Sequence, residues 1–156
     1  MIVGDSSALV ALSIMDRLEL LGTLFGEVYV PQAVYEEVAI SSKPQALKLK
    51  NFLANKTVKV QIDIAKIGLG RGELEAITLY KKMNVHFLLI DDRRAKSFAK
   101  MNDVNVIGSL GVMVLAKELG KVKTIRTDLG KLLNSNIFVS KSLINRILKQ
   151  VGDESF

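Results

Sequence analysis

Two rhythms of apolar residues run through this chain. Continuous apolar segments end abruptly in polar or turn-forming residues: Ile2-Val3-Gly4 before Asp5, Val28-Tyr29-Val30 before Pro31, and Phe87-Leu88-Leu89-Ile90 before Asp91. Short segments without alternation suit strands buried on both faces. They predict strands over residues 2–5, 27–30 and 87–90. Thr57-Val58-Lys59-Val60 alternates as a further strand, and Asn105-Val106-Ile107 reads as a last short one.

Between the strands the apolar spacing is helical. Ala8 to Leu12 opens the first helix, with Ser6 or Ser7 as its N-cap. Leu18, Leu20, Leu21, Leu24 and Phe25 give a second helix its apolar face, Asp16 being the expected cap and Gly26 the stop. Pro31 suits the first turn of a third helix carrying Val34, Tyr35 and Val38, because its missing N–H is not needed there. Helical spacing continues over residues 43–55, 73–83, 93–101, 112–119 and 128–134, with Gly68 to Gly72 as a flexible connection. Ser140 is the expected cap of a terminal helix whose Leu143, Ile144, Ile147 and Leu148 serve either the core or an interface.

Strands alternating with helices place the chain in the α/β class, with a central parallel sheet of four to five strands covered on both faces. At 156 residues and 49% apolar content a single domain over 1–156 has enough material for its own core. Ligands of such sheets bind beyond the carboxyl ends of the strands, and Asp5 and Asp91 both occupy such ends.

Composition narrows the chemistry. Without Cys there is no disulfide, thiolate nucleophile or zinc-thiolate site, which accords with a reducing cytoplasm. Asp5 interrupts the first apolar run before a signal-peptide core forms, and charges break every later run short of a membrane span, so neither export nor a membrane is expected. His86 is the single histidine, which excludes a poly-His metal site and points to a structural or surface role. Lys and Arg number 22 against 16 acids, a net charge of +6 that favours polyanionic partners. Because several acids fall where a site is expected, the remaining surface is more basic still.

Carboxylates gathered at parallel strand ends repel one another, and a bound divalent cation is the usual compensation. Asp5 and Asp91 are therefore candidate ligands, and Asp92 is suited to cap the helix beginning at Arg93. Of the pair Glu36 and Glu37, the second stands nearer the buried face of its helix; Glu73 and Glu75 open another helix, where acids meet the dipole favourably. Gly68-Leu69-Gly70-Arg71-Gly72 lacks both the dinucleotide fingerprint and a Walker loop, though Arg71 is placed to meet a phosphate. Arg93 and Arg94, with Lys96 and Lys100, form a basic helix suited to a nucleic-acid backbone.

Four segments together, Ile2-Val3-Gly4-Asp5-Ser6-Ser7, Val30-Pro31-Gln32-Ala33-Val34-Tyr35-Glu36-Glu37-Val38, Gly72-Glu73-Leu74-Glu75-Ala76-Ile77 and Leu89-Ile90-Asp91-Asp92-Arg93-Arg94, resemble the PIN domain, the fold of VapC-type toxin ribonucleases and related nucleases. The likeness covers nearly the whole chain, and Val106 to Gly111 is similar to that family's small-residue loop after the last strand. It implies a three-layer α/β/α fold. It also implies that Asp5, Glu37, Glu73 and Asp91 are a catalytic acidic quartet holding one or two Mg²⁺ or Mn²⁺ ions, with Ser6 and Asp92 in support. Glu36 in place of Glu37, or Glu75 in place of Glu73, remain open by register.

The activity implied is metal-assisted hydrolysis of RNA by an endoribonuclease, with an antitoxin protein and a second copy of the chain as partners. Two departures from the family pattern, Glu at 73 where Asp is frequent and Leu89 where Ser or Thr is common, motivate an alternative: a non-catalytic PIN-like RNA-binding or assembly module. A phosphotransfer receiver also uses acids at strand ends, but Ser7 stands where such proteins place a second Asp.

Overall fold

The computed structural model describes residues 1–40, 42–62 and 68–156. Five strands, β1 (Ile2–Gly4), β2 (Val28–Pro31), β3 (Thr57–Val58), β4 (Phe87–Leu89) and β5 (Val106–Ile107), form a parallel sheet in the order β3-β2-β1-β4-β5. Nine helices among the described residues cover it: α1 (Ser6–Ile14), α2 (Glu19–Phe25), α3 (Gln32–Ala39), α4 (Ala46–Leu53), α5 (Arg71–Met83), α6 (Arg93–Met101), α7 (Ser109–Glu118), α8 (Arg126–Leu133) and α9 (Lys141–Gln150). The result is the three-layer α/β/α architecture.

Successive side chains leave a strand on opposite faces. Ile2 and Leu89 enter one apolar cluster with α1, α4, α7, α8 and α9, whereas Val3, Leu88 and Ile90 enter another with α5 and α6. All five of these side chains are fully buried, which is why the strands show no alternation in sequence. The terminal helix α9 spends Ile144, Ile147 and Leu148 on the first cluster, so these residues serve the core. Ser140 caps it through Leu143 N at 3.1 Å. Among the described residues no helix is long and apolar enough to cross a membrane.

Several element ends differ from the sequence expectation. Helix α4 starts at Ala46, not 43, because Pro44 disfavours helical backbone at the residue before it. Strand β3 stops at Val58 instead of Val60: its one neighbour among the described residues, β2, ends at Pro31, where α3 takes over and the ladder stops. Pro31 is the last residue of β2, with extended backbone, and precedes the first turn of α3 instead of lying in it. Gly72 lies inside α5, which begins at Arg71 with Gly70 as its N-cap.

Asp16 does not cap α2. Its backbone is left-handed (φ 57°) and its carboxylate is shared by Lys48 and by Lys131, the latter at 3.2 Å, tying α4 to α8. At the other end of α8, Asp153 accepts from Ile125 N at 2.7 Å, Lys117 Nζ at 2.8 Å and Thr124 Oγ at 2.9 Å, which fixes the C-terminal segment.

Candidate active site

From β1 the sheet grows outward through β2 to β3, and the chain then returns to place β4 on the other side of β1. The carboxyl ends of β1 and β4 therefore flank the switch point, the usual ligand crevice of open α/β sheets. Asp5 N donates to Leu89 O at 2.9 Å and Ile90 N to Ile107 O at 2.9 Å, so the ladder carries both strand ends rigidly to the crevice.

Asp5 occupies the N-cap position of α1, yet its side chain makes no capping bond. Neither serine caps the helix either, against expectation: both lie within its first turn, where Ser6 Oγ donates to Glu37 Oε2 at 2.8 Å and Ser7 Oγ makes a long contact of 3.5 Å with Asp5 Oδ2. The hydroxyls serve carboxylates instead of backbone. Asp5 is only 4% exposed. Burial raises its pKa from 3.8 to about 7 against the Ser6 N–H, which lowers it; the nearby charges of Glu73 and Glu37 add to the rise, and the Ser7 hydroxyl opposes it.

Glu37 and Glu36 part company on α3. Glu37 turns to Ser6 and toward Gly72, where a Cβ would come within 3.3 Å of its Oε2; Glu36 accepts from Gln32 Nε2 at 3.0 Å. The pair on α5 divides as cleanly. Glu73 reaches back to Gly70 N at 2.7 Å, within the cleft. Glu75 is 1% exposed and spent on Ala33 N at 3.0 Å, a bond that holds α3 against α5, and on Arg71 Nε at 2.8 Å within α5. Burial and both partners make Glu75 a structural carboxylate.

Asp5, Ser6, Glu36, Glu37, Glu73 and Asp92 thus line one cleft of about 510 Å³, together with Arg71. Asp91 stands apart on the wall of an adjoining groove that shares Ser6, Ser7 and Glu37. Its carboxylate is held by Ser109, from N–H at 2.7 Å and from Oγ at 2.6 Å. A Cβ at Gly108 would stand 2.7 Å from Asp91 Oδ1, so a bare residue is required there. Asp92 caps α6 through Ala95 N at 2.8 Å.

Of the basic candidates, Arg71 pairs with Glu75 while leaving 68% of its side chain exposed at the cleft. Arg93 and Arg94 line a separate surface pocket beside Gly68 and Leu69, which meets the cleft at Asp92. His86 Nδ1 lies 3.3 Å from the N-terminal ammonium, away from the acids.

Ser109 was not legible as a site residue. Leu89, at the position where the resembled family carries Ser or Thr, is fully buried in β4, while a hydroxyl reaches Asp91 from α7 instead. Its sequence signal was its place directly after Gly108 in the segment Val106 to Gly111 that resembles the family's small-residue loop.

Among the described residues no three acids stand close enough to form a closed ligand set. The donors nonetheless fit a hard divalent cation: all are carboxylates, and Asp5 is buried beside two like charges with no cation paired to it among the described residues, the electrostatic deficit a metal fills. Closing the set requires Glu37 and Glu73 to exchange one hydrogen bond each, with Ser6 and Gly70.

A family model for the PIN domain, DUF3368, matches residues 1–153. No curated protein shows a significant match to the chain.

Proposed function

The chain belongs to the PIN-domain family, whose members are generally nucleases, and from that premise we propose that it is a metal-dependent endoribonuclease, the toxin of a toxin–antitoxin pair. The observation that carries the reading is the buried Asp5 carboxylate, held at a strand end with Glu37 and Glu73 on one cleft and lacking a cationic partner among the described residues. Asp5, Glu37, Glu73 and Asp91 would hold Mg²⁺ or Mn²⁺. When bound, the cation lowers the pKa of an attacking water and stabilises charge on the phosphoryl oxygens.

The protein's own part is positional. The Ser109 N–H and hydroxyl hold Asp91, so that carboxylate is aimed before substrate arrives, whereas Ser6 holds Glu37 through a bond that a bound cation would replace. Asp5 must lose its proton to act as a ligand, a cost set by its burial. Arg71, exposed beside the acids, offers its free guanidinium N–H groups to a backbone phosphate. No side-chain nucleophile is needed.

The test is cleavage of RNA in Mg²⁺ or Mn²⁺, with loss of cleavage expected on chelation and in Asp5→Asn. Cleavage that survives both refutes the proposal. A second reading, a non-catalytic RNA-binding module, draws on the open arrangement of the acids among the described residues. It is favoured by salt-sensitive RNA binding with no cleavage in either metal.

A further inference from the structure

The acidic cleft opens into a larger groove of about 980 Å³ that the acids themselves do not explain. Its floor is apolar, built from Val10, Ile14, Val38 and Leu49 of α1, α3 and α4, with Ile137 of the segment between α8 and α9. The volume lies within the range that holds small organic ligands, about 300–1,000 Å³. At one end stand Glu37 and Asp91, shared with the proposed catalytic machinery; along the rim stand Lys43 and Lys131, with no further acid among its lining residues.

The wall contributed by residues 134–137 is a shaped turn. Ser135 Oγ donates to Leu132 O at 2.6 Å and accepts from Ile137 N at 3.1 Å, which fixes the backbone on either side. The flanking Asn134 and Asn136 line the groove, and neither side-chain amide has a hydrogen-bond partner among the described residues. Each offers a donor and an acceptor on one group.

We infer that this groove is a nucleobase subsite, in which a base next to the scissile phosphodiester lies on the apolar floor and Asn134 and Asn136 read its edge. A nucleobase has the required form: apolar faces, a polar edge of donors and acceptors, and an attached anion. The floor suits the faces, the amides suit the edge, and Lys43, which makes no ion pair among the described residues, suits the phosphate. Direct continuity through Ser6, Ser7 and Glu37 puts the neighbouring linkage at the acids. A protein segment would satisfy the apolar floor alone; Lys43, unlike Lys131 which pairs with Asp16, is left to favour a polyanion. The inference rests on the nucleic-acid reading above and makes Asn134 and Asn136 specificity-determining residues.

The test is binding of four fluorescent homopolymer RNA decamers to the full chain in EDTA, so that cleavage plays no part, comparing wild type with N134A/N136A. Wild type is expected to prefer one base by about tenfold, the scale of one good amide-to-base pairing. The variant, altered only at exposed positions, is expected to bind all four within about twofold of one another. Wild-type binding without base preference, or a preference the variant keeps, overturns the groove assignment while leaving the nuclease reading intact. Absence of binding to any decamer overturns the nucleic-acid reading itself. An unchanged ranking with a self-association that the variant alters, followed by sedimentation, would assign the groove to a second copy of the chain and likewise overturn the inference.

Discussion

Replacing Asp5 by Asn tests the electrostatics of the cleft without any assay of activity. The rise of its pKa from 3.8 to about 7 means that the folded protein keeps a proton which the unfolded chain releases. Stability from this group is fully present below about pH 3.8 and is lost as pH rises through 7, above which the ionised carboxylate is carried at full cost. At about 1.4 kcal/mol per pH unit the cost is on the order of 4 kcal/mol.

Burial at 4% exposure is the main cause, so solvent screening removes little of it. Asp16, held low by Lys48 and Lys131, and Asp153, held low despite its burial by Lys117, Ile125 N–H and Thr124, give slopes of the opposite sign. Those slopes are common to both proteins and cancel in the difference. Thermal unfolding in EDTA should therefore find Asp5→Asn close to wild type at pH 4 and more stable at pH 8, by up to about 10 °C for a domain of this size. A difference that does not grow between pH 4 and pH 8, or a destabilised variant at pH 8, refutes the account of Asp5 as an uncompensated charge.

Further outcomes follow from the same contacts. Mg²⁺ or Mn²⁺ should raise the wild-type midpoint at pH 8, by about 2.7 kcal/mol of stability at a hundredfold excess over Kd, and should leave Asp5→Asn nearly unmoved in the same melt. Glu75→Gln should destabilise by about 1–3 kcal/mol in urea unfolding, since Arg71 loses a charged acceptor and Ala33 N keeps at best a neutral one, whereas Glu36→Gln should stay within about 0.5 kcal/mol. Gly108→Ala should abolish RNA cleavage in Mn²⁺ while retaining the far-ultraviolet spectrum, because its Cβ would stand 2.7 Å from Asp91 Oδ1. Asp153→Ala should cost about 2–4 kcal/mol by removing the shared acceptor of three donors, measurable as a fall in the urea midpoint.

The sheet was legible because Ile2, Val3, Leu88, Leu89 and Ile90 are buried on two faces, which leaves unbroken apolar runs. The strand-end positions of Asp5 and Asp91 were legible for the same reason: each acid directly follows such a run. The choice between neighbouring glutamates was not. Glu75 differs from Glu73 through Ala33 N, 42 residues away in sequence, and Glu37 from Glu36 through Ser6 and Gly72. Local spacing carries no record of those partners. Helix starts went astray where one residue outweighed the periodicity, as at Pro44, or where a tertiary ion pair claimed a cap, as at Asp16.

Gly72 and Gly108 bear on how such proteins are told apart. Each stands where a Cβ would crowd a carboxylate on another element, Glu37 in one case and Asp91 in the other, so the positions of these two carboxylates depend on two missing side chains. A chain with every acid in place but Ala at 108 would pass a search for the quartet and fail to hold Asp91 in the position seen here. The two small positions therefore belong with the acids in any description of how these carboxylates are placed.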